Sequence, residues 1–115
     1  MYEMNRYRAE VVRWLDGDTV ELVVDLGQNV LVQGHYRLAR IDAPETALRR
    51  GVTPEEKVAG LALKAELSDR FPPGTFLTIS TSKAGKFGRY IVEVHLDDGD
   101  TLSDLLMREG KAEPY

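Results

Sequence analysis

Asp16-Gly17-Asp18-Thr19, then Arg37-Leu38-Ala39-Arg40-Ile41-Asp42-Ala43-Pro44-Glu45, then Lys86-Phe87-Gly88-Arg89 carry side chains that suit one piece of chemistry. Asp18 and Asp42 are candidate ligands for a hard cation, and Glu45 is a candidate base for an attacking water. Arg37 and Arg89 are a candidate phosphate clamp, because a guanidinium offers its donors in a fork that matches two phosphate oxygens. A cation and two guanidiniums around one phosphate neutralise charge where it accumulates during attack on phosphorus. The inventory fits metal-assisted hydrolysis of a nucleic acid backbone.

Such a site needs elements that bring distant segments together. Ala9 to Leu15 and Thr19 to Val24 are β-rich runs split by Asp16-Gly17, a hairpin signal that puts Asp18 at the start of a second strand. After a turn at Gly27-Gln28-Asn29, Val30 to Ile41 reads as one longer strand, with Arg37, Ala39 and Ile41 on a common face. Thr53-Pro54-Glu55-Glu56 combines a hydroxyl cap, a proline at the first helical position and a glutamate three residues after the cap. It predicts a helix to about Arg70, stopped by Phe71-Pro72-Pro73-Gly74. Val58, Leu61, Ala62, Ala65 and Asp69 mark its expected inner stripe, with Leu63 and Leu67 widening it.

Strands over Phe76 to Thr81 and Arg89 to Leu96 follow, joined by a basic turn from Ser82 to Gly88, then a short helix from Leu102 to Glu109 capped by Gly110. Three strands, a helix, two strands and a short helix is the order of a mainly β, five-stranded Greek-key barrel of the OB type. With 115 residues the chain is read as a single domain over 1–115, large enough for one core and too small for two.

Composition narrows the classes. The chain has no cysteine, which excludes disulfides and thiolate zinc sites. His35 and His95 stand alone, so packing or surface roles suit them better than metal ligation. No run approaches the roughly 20 apolar residues of a membrane span, and the N-terminal segment lacks the apolar core of a secretory leader. The expected location of the chain as given is intracellular, unless it was already processed. A net charge of −4 argues against holding nucleic acid by bulk electrostatics. Lys83, Lys86 and Arg89, and separately Arg49 and Arg50, nevertheless make a local positive patch on an acidic chain.

From about Val11 to Gly110 the sequence resembles the staphylococcal nuclease family, on the ordered set Asp-Gly-Asp-Thr, Arg-Leu-x-x-x-Asp-x-Pro-Glu and Lys-x-Gly-Arg. The resemblance implies a calcium-dependent nuclease that cleaves single-stranded DNA and RNA with little sequence preference and leaves 3′-phosphate ends. It implies Asp18 and Asp42 as calcium-binding carboxylates, Ala43 as a main-chain carbonyl ligand, and Arg37, Glu45 and Arg89 as catalytic residues. Ala43 stands where the family usually has threonine, a change that leaves a carbonyl ligand in place. Lys86 and Phe87 are substrate-binding candidates, and Phe87 replaces a tyrosine whose hydroxyl would reach a phosphate. Two aspartates, a carbonyl and waters make a low-charge site that suits calcium, which takes about 6–8 oxygens in loose geometry. Thr19 is placed to hydrogen-bond a ligating carboxylate.

The alternative reading is a non-catalytic OB-type module that holds nucleic acid or protein through its basic hairpin. The resemblance implies that longer relatives cover one barrel end with a further helix; here either the barrel manages without that cover, or a partner, a second copy or a missing segment supplies it, and a weak homodimer through the uncovered C-terminal end is the expectation.

Overall fold

Alternation of apolar and polar residues builds β1 (Arg6–Asp16), β2 (Thr19–Asp25) and the far half of β3 (Leu31–Leu38). The computed structural model describes residues 6–44, 46, 51–83 and 90–115. In β1 the buried residues are Ala9, Val11 and Trp14, a spacing that changes parity because the register with β2 shifts between Val11 and Arg13. This bulge adds local twist, which helps a sheet curl. Val20, Leu22 and Val24 of β2 face the same core.

β4 (Ile41–Asp42) follows β3 after a sharp corner, and β5 (Phe76–Lys83) and β6 (Tyr90–His95) complete the sheet. The closed barrel has the order β1-β2-β3-β6-β5 and returns to β1 through pairs from Arg6↔Ser80 to Glu10↔Phe76. β3 meets β6 in parallel at Tyr36↔Tyr90, Arg37↔Ile91 and Leu38↔Val92. The expected five-stranded barrel is therefore present, with α1 (Pro54–Arg70) between its third and fourth strands and α2 (Leu102–Arg108) after its last.

Both helices start as the sequence predicts. The Thr53 hydroxyl accepts from Glu56 N–H at 3.1 Å, with proline at the first position, and the Thr101 hydroxyl accepts from Asp104 N–H. Gly110 takes φ +72°, and Lys111 N–H returns to the Leu106 carbonyl at 2.9 Å, closing α2 at a left-handed cap. No helix among the described residues is long and apolar enough to cross a membrane.

Three expectations are corrected. The run from Val30 to Ile41 is not one strand: Arg40 adopts φ +66°, and Ile41–Asp42 leaves the barrel to pair with β7 (Glu113–Pro114). Ile41 is consequently fully buried and does not continue the face of Arg37. The inner face of α1 is not the stripe through Val58, Leu61, Ala62 and Ala65. Val58 is 67% and Leu61 44% exposed, whereas Gly60, Leu63 and Leu67 are buried. The glycine at position 17 leaves the space that Leu63 fills, and this contact selects the face bearing Leu63 and Leu67.

Leu63 inserts where β1 turns into β2. A Cβ on Gly17 would lie 2.5 Å from Leu63 Cδ2 and 3.0 Å from both Leu63 Cγ and Ala43 Cβ, so this glycine is required by close approach, not by a positive φ. Gly17→Ala should therefore lower stability in urea titration by ~1–3 kcal/mol, the usual cost of overpacking. In a Leu63→Ala background the same substitution should cost less, and strictly additive losses would contradict this account.

Candidate active site

Asp18 follows Gly17 in the loop from β1 to β2 and is 6% exposed. Its N–H donates to Asp16 Oδ1 at 3.1 Å, and its carbonyl accepts from Leu38 N–H at 2.7 Å. The carboxylate accepts from the Thr19 hydroxyl at Oδ1 (3.1 Å) and from Ala43 N–H at Oδ2 (3.0 Å). Thr19 thus orients the carboxylate as its position in the motif predicts, and the Ala43 bond draws the segment after β4 onto the β1–β2 loop.

Arg37, near the end of β3, bridges the two aspartates. Its Nη2 lies 3.5 Å from Asp18 Oδ2 and 3.3 Å from Asp42 Oδ1, and donates to the Ile41 carbonyl at 3.1 Å. The Tyr115 ring lies against this guanidinium, its centroid 4.7 Å from Cζ. Asp18 is enclosed and Asp42 is more than half exposed, so the pair opens to solvent on the Asp42 side. A cavity of about 330 Å³ adjoins Asp42, Ala43 and Pro44, with Glu56, Lys111 and Glu113 on its other walls.

Asp18, Arg37, Asp42 and Ala43 are therefore brought together from three segments. Glu45, Lys86, Phe87 and Arg89 lie outside the described residues, as do Arg49 and Arg50. Two contributors had no sequence signal as neighbours of the site: Tyr115, which packs on Arg37, and Arg40, whose carbonyl accepts from Tyr115 N–H at 3.0 Å. His35 and His95 behave as expected, His35 near Glu21 at the surface and His95 bonded to the Ser80 hydroxyl at 2.7 Å. Trp14 and Tyr36 are core aromatics, the Trp14 indole donating to the Phe71 carbonyl.

Burial dominates the electrostatics. The Asp18 pKa is pushed up to about 6, first by desolvation and then by Asp16, against the opposing pull of Ala43 N–H and Arg37. The Arg37 nitrogen meets both carboxylates and partly compensates their charge, while their other lone pairs remain available. The donors there are hard oxygens with unused lone pairs, the set that calcium prefers. Among the described residues no three acidic or histidine side chains converge as a metal cluster. The residues present thus fit a cation that completes its shell with water and phosphate oxygens.

The chain is 29% identical, over 95% of its length, to a micrococcal nuclease of Shigella flexneri, and covers 59% of that protein. It is 30% identical, over 93% of its length, to an uncharacterized endonuclease of Escherichia coli O157:H7, of which it covers 60%. The chain therefore spans about 60% of the length of the curated relatives it matches. No family model matches it.

A raised carboxylate pKa has a definite sign in stability. The folded state holds the proton more tightly than the unfolded chain, so stability falls as pH rises from about 4 to above 6, where Asp18 must ionise in place. In metal-free protein, Asp18→Asn should raise stability at pH 7.5 by about 1–3 kcal/mol, with the gain absent at pH 3.5, as read by urea titration at both values. A loss of stability at pH 7.5 would show that the ionised carboxylate is better compensated than its burial implies.

Proposed function

We propose that this staphylococcal-nuclease-like domain is a calcium-dependent phosphodiesterase that hydrolyses single-stranded DNA and RNA with low sequence specificity and leaves 3′-phosphate ends. The observation that carries the reading is the convergence of Asp18 and Asp42 on one nitrogen of Arg37, with Asp18 enclosed and Asp42 open to solvent. The relatives named as micrococcal nuclease and endonuclease support the coarser part of this reading, a nuclease activity.

Asp18, Asp42 and the Ala43 carbonyl would hold the calcium ion, which supplies a fixed positive charge against a phosphate oxygen. Arg37 is braced by the Ile41 carbonyl and the Tyr115 ring, so its remaining donors are oriented toward a phosphate before one arrives. Arg89 takes the second position of the clamp. Glu45, three residues beyond Asp42, accepts the proton of a water whose oxygen bonds to phosphorus as the bond to the 5′ oxygen breaks. The departing oxygen takes a proton from solvent. Lys86 and Phe87 hold the flanking nucleotide, Phe87 by stacking, and contacts of this kind to backbone and ring faces carry no base code.

Incubation of single-stranded DNA with the chain in calcium should give fragments with 3′-phosphate ends, and chelator should stop the reaction. Glu45→Gln should be nearly inactive, and Arg37→Lys should lower kcat roughly 10³-fold with a smaller change in KM. Equal cleavage by wild type and Glu45→Gln in excess chelator would overturn the assignment. Retention of DNA without cleavage in calcium would establish the binding module instead.

A further inference from the structure

Arg40 stands in the left-handed region at φ +66°, where a side chain with a Cβ is strained. Such a conformation persists when surrounding contacts over-determine it. Here the contacts come from one guanidinium. Nε and Nη2 donate to the two carboxylate oxygens of Glu93 on β6 at 3.0 and 3.1 Å. Nη1 donates to Asp104 in the first turn of α2 at 2.8 Å, and Nη2 also reaches the Thr101 hydroxyl that caps the helix, at 3.3 Å. The forked geometry on Glu93 fixes direction as well as distance.

The main chain at the same residue forms the corner between β3 and β4. Ala39 N–H, just before it, bonds the Val92 carbonyl at 2.9 Å, and the Arg40 carbonyl accepts from Tyr115 N–H at 3.0 Å. Immediately after it, Ile41 gives its carbonyl to Arg37 and Asp42 gives its carboxylate. The corner therefore sets how the Asp42 carboxylate and the Tyr115 ring stand against Arg37.

We propose that Arg40 is a positioning residue of the site: its guanidinium, fixed between Glu93 and Asp104, locks the left-handed corner that holds Asp42 and Tyr115 against Arg37. Its effect on turnover rests on the nuclease reading above, whereas its effect on the corner does not. The four bonds of the Arg40 guanidinium go to Glu93, Asp104 and Thr101. Arg40 acts through the placement of groups in the site, and small misplacements of such groups cost roughly 10²-fold in rate.

Arg40→Gly separates anchor from fold, since glycine adopts φ +66° without strain while the four side-chain bonds disappear. Arg40→Lys keeps the charge but not the fork. Wild type and both variants are compared by kcat and KM on single-stranded DNA in calcium, and by hydrogen exchange at the Tyr115 and Val20 amides. The expected result for Arg40→Gly is a kcat loss of about tenfold or more with KM within about twofold. Tyr115 exchange should rise at least about tenfold with Val20 unchanged, and Arg40→Lys should recover part of both effects. Unchanged kcat and Tyr115 protection, or equal loss of protection at Tyr115 and Val20, would overturn the proposal. If the wild-type chain cleaves no nucleic acid, the nuclease reading fails separately, and exchange alone decides: selective loss at Tyr115 sustains the anchor and any other pattern removes it.

Discussion

The hydrogen bond from Ala43 N–H to Asp18 Oδ2 joins two loops 25 residues apart, and the geometry around the site depends on it. It compensates one face of a carboxylate that burial would otherwise force to protonate. It also fixes the direction in which the chain leaves β4, and so where Asp42 stands relative to Arg37. Gly17 makes the approach possible, because any side chain there would meet Ala43 and Leu63 together. A glycine, an enclosed carboxylate and a backbone amide thus form one clasp between the β1–β2 loop and the segment after β4.

Around the clasp the charges differ in exposure. Asp18 is enclosed, Arg37 is largely covered, and Asp42 and Arg40 are both open, Arg40 with its own acidic partners. Enclosure strengthens each interaction with Asp18 but leaves its carboxylate short of compensating positive charge. Arg37 meets part of that need. A group that the fold keeps under-compensated is one that would gain from a ligand of opposite charge.

Much of this was legible because the relevant signals are local. The cap at Thr53, the glycine cap at Gly110, the Asp16-Gly17 turn and the β-rich runs of β1 and β2 depend on residues a few positions apart. Asp18, Arg37 and Asp42 were legible as a set of residue types, and the barrel brings them together. What was not legible depends on contacts between distant segments. The corner at Arg40 breaks an otherwise continuous β-like run, and its bonds lie 53 to 64 residues away. The pairing of Ile41–Asp42 with Glu113–Pro114 is too short to have a pattern of its own. The inner face of α1 was misread because apolar residues occur on two stripes, and the cleft beside Gly17 selects the one bearing Leu63.

The two-residue pairing of β4 with β7 also sets an order of events in the life of the chain. β1, β2 and β3 form a meander of neighbouring segments, which can place Asp18 beside Arg37 early. Asp42 acquires its partner strand only from Glu113–Pro114, and Arg37 its aromatic neighbour only from Tyr115. A chain still emerging from the ribosome therefore carries the first half of the centre without the second. Glu113, Pro114 and Tyr115 act as a latch, and the surroundings of Arg37 and Asp42 are complete only once that segment has docked beside the barrel.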